Sequence, residues 1–298
     1  MIVSFGSIAL DTTRTPTLIR KDILGGSCTY FSLASSLFFK TGIVGIVGSD
    51  FPENYLEIFR NRLDLSGFKI EKSKKTFKYD SSFGNDLSIR TTNITELNVY
   101  KDYNPVLPYK YRKEKYIYLG NIDPKQQLQV IDQLEKPCYI FMDTIDYWIK
   151  TERSKVYEVI QRVNGLFLNE EEIKLLCETK SILKGAYKLL DLNIDLLVVK
   201  RGAKGAVMFT KDYIFINPSY LNTEVVDPTG AGDSFAGGFV GHLVKKDKID
   251  DKTLKESLIY GNVLGSFAIE RFGPERLVSL SLNEIYERYR KHCSMVFF

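Results

Sequence analysis

The chain has 298 residues, 44% of them hydrophobic and 26% charged, which is enough apolar content for a large buried core and excludes a disordered or fibrous protein. Its 41 basic and 37 acidic residues leave a formal charge of +4, spread along the chain without a polybasic tail, so no nucleic-acid partner is expected. Cys28, Cys138, Cys177 and Cys293 are scattered and form no CxxC pair, which argues against both a disulfide framework and a zinc site.

The chain opens directly on an apolar strand, Ile2–Phe5, without the charged start of a signal peptide. No apolar run approaches the ~20 residues of a membrane span. A cytoplasmic protein with no membrane partner is the expectation. Thr12–Ile23 could supply a pair of strands, and Gly25-Gly26 opens a helix over Ser27–Phe39. Short apolar runs follow at Ile43–Val47, Tyr116–Leu119, Cys138–Met142, Leu166–Leu168 and Asp195–Val199. Between them lie stretches with helical spacing, such as Leu128, Ile131 and Leu134, or Val156, Val159, Ile160 and Val163. Fully apolar strands alternating with amphipathic helices predict an α/β fold whose parallel sheet is covered on both faces.

Lys72–Leu97 breaks this rhythm. Thr76-Phe77-Lys78-Tyr79 and Leu87-Ser88-Ile89-Arg90-Thr91-Thr92 alternate polar and apolar residues around the turn signal Gly84-Asn85-Asp86. That pattern describes a hairpin with one wet face, either a plain edge hairpin or a small lid over a cleft. After Val226 the spacing is helical, over Gly230–Val244, Lys252–Ile269 and Asn283–Arg290, while Cys293–Phe298 carries no pattern. Without repeats or low-complexity tracts, residues 1–298 read as a single domain.

The chemistry concentrates in Asp227-Pro228-Thr229-Gly230-Ala231-Gly232-Asp233. An N-cap aspartate before a proline explains the first two residues but not the glycines, which each cost about 1 kcal/mol against alanine in a helix. Bare amides at a helix start let an anion approach the backbone where the helix dipole favours negative charge. Asp233 would then stand beside a bound phosphate, a poor place for a carboxylate unless it takes a proton from a hydroxyl attacking that phosphate.

This stretch resembles the second signature of the ribokinase family, the phosphofructokinase-B-type carbohydrate kinases. Gly25-Gly26, Asn169-Glu170-Glu171-Glu172 and Lys200-Arg201-Gly202-Ala203-Lys204-Gly205 agree with that family in order and spacing. The resemblance implies a three-layer ribokinase-like fold with a mostly parallel central sheet and a small β-lid, its strands drawn from about 12–23 and 72–97. It also implies transfer of phosphate from ATP to an alcohol group of a small sugar-like substrate. Asp233 would be the catalytic base, and Gly230, Ala231 and Gly232 the anion hole. Asn169, Lys200, Gly202, Gly205 and Asn262 would line ATP. Glu172 would hold Mg²⁺ through water, as suits an ion reluctant to give up its waters. Asp227 and Thr229, with the segment around Gly273, would lie near a monovalent cation, K⁺ in relatives. Asp11, Gly25, Gly26, Tyr30 and Asn121 would meet the acceptor, with Asp123 and Asp143 as alternative polar contacts.

One departure stands out. Tyr30 occupies the place where sugar kinases of this type carry a substrate-binding Asn, and a phenol cannot reproduce an amide's paired donor and acceptor. Ribose or fructose recognition is therefore not inherited, and a nucleoside or a cyclitol stays open as acceptor. Phe77, Tyr79 and Phe83 would suit stacking on a base or covering a sugar. Exposed lid strands would also be free to pair between two copies of the chain. Other enzyme classes lack their marks: no Gly-x-Gly-x-x-Gly follows an early strand, no Gly-Lys-Ser/Thr or Gly-x-Ser-x-Gly occurs, and the histidines are only His242 and His292. A non-catalytic ligand sensor on the same fold would be expected to lose Asp233 or its glycines.

Overall fold

The computed structural model describes residues 1–85, 87, 90–135, 139–192, 194–222 and 224–296. Asp86 of the expected turn, Ser88 and Ile89 of the alternating run, and Cys138 lie outside these, as do residues 297 and 298. In chain order the strands are β1 (Ile2–Phe5), β2 (Ala9–Arg14), β3 (Ile19–Gly25), β4 (Thr41–Gly48), β5 (Asp64–Glu71), β6 (Phe77–Phe83), β7 (Arg90–Glu96), β8 (Tyr116–Leu119), β9 (Tyr139–Asp143), β10 (Gly165–Asn169), β11 (Leu196–Lys200), β12 (Ala206–Phe209) and β13 (Ile214–Asn217). The α-helices are α1 (Ser27–Ser35), α2 (Glu53–Arg62), α3 (Pro124–Ile131), α4 (Asp146–Thr151), α5 (Arg153–Ile160), α6 (Glu170–Leu176), α7 (Ile182–Leu190), α8 (Ala231–Lys246), α9 (Asp251–Ala268), α10 (Glu275–Ser279) and α11 (Leu282–Val296).

Strands that are apolar on both faces can only sit inside a sheet covered on both sides. β1, β4 and β8 are buried along their whole length, and β10 and β11 up to their last residue. They belong to a nine-stranded sheet in the order β13-β12-β11-β10-β9-β8-β1-β4-β5. Every pairing from β11 through to β5 is parallel, and β12 and β13 close the other edge antiparallel. The strand period of two divides the core. Val3, Phe5, Leu166, Leu168, Leu197 and Val199 pack with α3 and α5–α7, whereas Ile2, Phe167 and Val198 pack with α1 and α8. This is the three-layer α/β architecture.

α8 runs through the middle of one layer, buried at every position from Ser234 to Val244. Its glycines set that depth. A side chain at Gly237 would meet Phe31 O at 2.5 Å, and one at Gly238 would meet Tyr260 O at 2.7 Å. The helix is thus held tightly between α1 and α9, and its N-terminus is fixed in place.

A second, four-stranded sheet, β3-β2-β6-β7, stands off the first. β2 pairs antiparallel with β3 and parallel with β6, which pairs antiparallel with β7. Its composition follows its position, since β7 is exposed at every residue.

The elements differ from the sequence expectations mainly at their ends. The helix from Ser27 stops at Ser35 rather than Phe39. Leu134 and Val163 fall beyond α3 and α5, where the amides of Leu134 and Val163 reach back three residues to Ile131 and Ile160 and tighten the last turn. β5 escaped the pattern because it is a half-exposed edge strand with a buried residue only at Gly67. α11 continues to Val296, through the start of the segment that carried no pattern.

Candidate active site

The carboxyl ends of parallel strands and the amino end of α8 converge, the usual place for a ligand in this architecture. Gly230 precedes α8 with φ +74°, and a side chain there would sit 2.3 Å from the ring of Tyr30. Only glycine satisfies both constraints. No side chain caps the helix, so its first amides are left for another partner. Ala231 N makes a long bond of 3.3 Å to Pro228 O, while the amides of Gly230, Gly232 and Asp233 donate to nothing among the described residues.

Asp233 stands one residue past Gly232, half-buried, with a carboxylate that accepts no hydrogen bond among the described residues. Desolvation and the nearby charge of Asp143 push it up to about 7, against the opposing pull of Lys200 and Arg90. Tyr118 lies beside it, but its buried hydroxyl is outside hydrogen-bonding geometry. A carboxylate that titrates near neutrality next to a row of free amides can take a proton while the amides hold an anion.

The strand ends supply the surrounding charges. Lys200, last residue of β11, donates to Asp143, last residue of β9, at 2.5 Å, and both are largely buried. The Lys200 ammonium also lies 3.2 Å from where a side chain at Gly232 would begin. Burial alone would lower its pKa, but Asp143, Glu172 and Asp233 raise it, so it stays charged. Asp143 is therefore engaged with Lys200 rather than free for an acceptor. Asp123 is likewise engaged as the N-cap of α3, its carboxylate accepting the Lys125 amide at 2.9 Å.

Asn169 and Glu172 form a capping box at the start of α6. The Asn169 side chain accepts from Glu172 N at 2.8 Å, and Glu172 Oε2 accepts from Asn169 N at 2.7 Å. Glu172 is buried, not an ordinary exposed glutamate, and desolvation pushes it up to about 8 while Lys200 holds it down. Its second oxygen accepts no hydrogen bond among the described residues.

At the other end, Asp11 of β2 is buried with Oδ1 unpartnered, and its carboxylate covers Gly25 so closely that a side chain there would lie 1.9 Å from Oδ2. Desolvation and Asp227 push Asp11 up to about 8. Gly26, with φ +94°, turns the chain into α1. Asn121, after β8, is held by Ser27 Oγ donating to its carbonyl at 3.1 Å, and its own Oδ1 has no partner. Tyr30 is 2% exposed, with its ring against Gly230 and within the fields of Asp227, Asp11 and Asp233. It thus forms the floor under the glycine loop. Phe77 turns inward, edge-on to Tyr100 at 5.9 Å, whereas Tyr79 is half-buried and its hydroxyl bonds Thr92 Oγ1 at 2.6 Å.

The residues expected to line the nucleotide lie on the turn after β11 and on α9. Gly202 and Gly205 both have positive φ, and Gly205 packs against the backbone of Asn217. Asn262 of α9 donates through Nδ2 to Asn217 Oδ1 and to Pro218 O. Asp227 accepts from Thr229 N at 2.9 Å and Gly273 N at 3.2 Å, which draws those two loops together around the buried, unpartnered Thr229 Oγ1.

Arg90 of β7 was not among the expected site residues. Its guanidinium stacks over Tyr79 at 5.5 Å and acts on Asp11, Glu172 and Asp233 together. No local pattern marks it, because only the second sheet brings it near the strand ends. Among the described residues no three His, Cys, Asp or Glu side chains converge as a metal cage. The single free oxygen of Glu172 suits Mg²⁺, which keeps its waters and takes phosphate oxygens as ligands. Among the described residues no helix is long and apolar enough to cross a membrane.

Comparison with known proteins agrees with this geometry. The sequence profile of the pfkB family carbohydrate kinases matches residues 19–279. A cytidine kinase of Thermococcus kodakarensis is 28% identical over 248 residues, covering 80% of this chain and 87% of its own length. The nucleoside kinase of Methanocaldococcus jannaschii, a ribokinase-family structure, aligns with a TM-score of 0.78 at 23% identity over 98% of both chains. A double-mutant fructokinase of Vibrio cholerae, solved with fructose, ADP and potassium, aligns with a TM-score of 0.81 at 20% identity over 97% of this chain and 98% of its own. The two structures speak for the fold, and the profile match over most of the chain speaks for descent: this protein belongs to the pfkB family of carbohydrate kinases and is an ATP-dependent kinase that phosphorylates a small sugar-like substrate.

Proposed function

We propose that this kinase transfers the γ-phosphoryl group of ATP to a sugar hydroxyl of a nucleoside. The observation that carries the chemistry is the open carboxylate of Asp233 beside the unpaired amide of Gly232 at the start of α8. The acceptor class is supported by a relative that shares sequence over 80% of this chain, a cytidine kinase. Tyr30 in place of an amide fits an acceptor other than ribose or fructose.

In this reading the unpartnered Oδ1 atoms of Asp11 and Asn121 accept hydrogen bonds from acceptor hydroxyls and fix the reacting one in line. Asp233 takes the proton of that hydroxyl as its oxygen bonds to the γ-phosphorus. The bond from that phosphorus to the β–γ bridging oxygen breaks, and ADP leaves. The amides of Gly230, Gly232 and Asp233, with the Lys200 ammonium, hold the transferring phosphoryl oxygens. Glu172 would hold a hydrated Mg²⁺, which when bound spreads the charge of the nucleotide phosphates. Asp227, Thr229 and the Gly273 loop would hold a monovalent cation that keeps the glycine loop in register. The second sheet acts as a lid that brings Arg90 over the acceptor and excludes water.

The test is a screen of cytidine, adenosine, inosine, ribose, fructose and inositol, read by acceptor-dependent ADP release. A nucleoside should lead the free sugars in kcat/KM by about tenfold or more, as a site built for a whole base discriminates against its absence. A faster free sugar or cyclitol would overturn the nucleoside assignment, and no ADP release with any acceptor would count against the transfer itself.

A further inference from the structure

α11 begins beyond residue 279, where the family match ends, yet one face of it is tied into the segment that follows β13. Ile285, Arg288 and His292 stand at i, i+3 and i+7, on one stripe of the helix. Ile285 and His292 are buried. Arg288 lays its guanidinium over the rings of Tyr220 at 4.8 Å and Phe267 at 3.4 Å, donates to Ser266 Oγ at 3.1 Å and pairs with Glu270 at 2.6 Å.

His292 Nε2 lies 2.9 Å from Asn217 Oδ1, and the same oxygen accepts from Asn262 Nδ2 at 2.5 Å. An oxygen can serve both only if His292 carries its proton on Nε2. In consequence His292 Nδ1 and Asn217 Nδ2 are buried without partners. Leaving two polar groups unpaired is a poor way to glue a helix down, since an apolar contact would do it without that cost. The arrangement makes sense if the orientation of the amides is what matters. Asn262 donates to Asn217 Oδ1 and Pro218 O, which leaves its own Oδ1 accepting nothing among the described residues. The same segment carries the glycine turn after β11. Ser219 Oγ donates to Ala203 O at 2.6 Å, and a side chain at Gly205 would meet Asn217 O at 2.2 Å.

We infer that His292 is a positioning residue for the phosphoryl donor. By orienting Asn217 it fixes Asn262 and the Gly202–Gly205 turn, so that docking of α11 and binding of the nucleotide are coupled. This rests on the reading that Asn262 and that turn line the nucleotide.

The experiment is calorimetric titration of the Mg²⁺ complex of a non-hydrolysable ATP analogue into the full chain, as wild type, His292→Ala and His292→Gln. Losing the donor should weaken binding about tenfold, by stranding Asn217 and loosening Asn262. Gln, whose amide nitrogen can replace Nε2, should recover most of it. The acceptor KM should be the same in all three, a split that a general loss of stability would not produce. Equal affinity in wild type and His292→Ala overturns the inference while leaving the kinase reading intact. Absence of binding in wild type overturns the nucleotide reading and this inference with it. If His292→Ala does not fold, hydrogen exchange on the wild type decides. Coupling is reciprocal, so the analogue should slow exchange across residues 285–296 by a similar factor of about ten, and unchanged exchange there overturns the inference.

Discussion

At the carboxyl ends of β9, β10 and β11 the charged side chains have fixed partners, Lys200 with Asp143 and Glu172 with the Asn169 backbone, whereas β7 of the second sheet is exposed at every residue. The strand ends emerge from the core of the molecule and inherit its rigidity. The second sheet meets that core through β2, Leu24 of β3 and Phe77 of β6, which packs edge-on to Tyr100, and leaves β7 on the outside. Rigid positioning belongs where phosphorus changes bonds, because a displacement of 1 Å there is costly. An exposed sheet is suited to opening and closing and to meeting varied acceptors. On the proposed function, this division would put transfer chemistry at the centre and acceptor choice at the edge.

Substitutions can break or sharpen that division. The largest effect is expected from Asp233→Asn, which keeps the shape but removes the proton acceptor. Turnover should fall by about 10²–10⁴-fold, the usual worth of a general base, while nucleotide affinity holds or improves. Steady-state assay and nucleotide titration on one preparation would check both parts.

Next in size is Gly230→Ala, which forces a side chain into positive φ and against Tyr30. Strain and overpacking together should cost about 2–4 kcal/mol, measured by denaturant unfolding. A neutral result would mean that the loop is softer than the centre requires.

Arg90→Ala tests the edge. Its side chain is exposed, so stability should change by no more than about 0.5 kcal/mol. Acceptor kcat/KM should nonetheless drop about tenfold, the scale of one charge-assisted hydrogen bond. A large fall in melting temperature would instead assign the second sheet to the rigid part.

Asp11→Asn is set apart by pH dependence, read as a shift in melting temperature. Asp11 is pushed up to about 8 in the folded chain, so the folded state binds its proton more tightly than the unfolded state does. Stability from this group is present at low pH and is lost as pH rises toward 8. The amide removes that loss. The variant should therefore melt above wild type at pH 8, with the gap closing toward pH 4. A gap independent of pH would mean that Asp11 keeps an ordinary carboxylate pKa.

The same division explains what the sequence made legible. β1, β8, β10 and β11 were readable because strands buried on both faces must be apolar throughout. β5 was not, because an edge strand mixes Asp64, Lys69 and Glu71 with few apolar residues. Asp233 was singled out because glycines at a helix start have a local chemical meaning. The pairing of Asp143 with Lys200, 57 residues apart, could not, since it arises only where β9 and β11 flank β10. Arg90 was hidden for a related reason: its role depends on how the second sheet is set against the first. Phe77 was expected as a ligand-stacking ring but packs on Tyr100, since alternation along a strand gives no information on which neighbour each face will meet.

The central claim is that Asp233, raised to about 7, takes the proton during transfer. The most direct measurement is the pH dependence of wild-type kcat/KM for the acceptor, with nucleotide saturating. The account predicts a level rate above a break near pH 7 and a fall of about tenfold per pH unit below it, as the base becomes protonated. A rate that stays level down to pH 5 would contradict it.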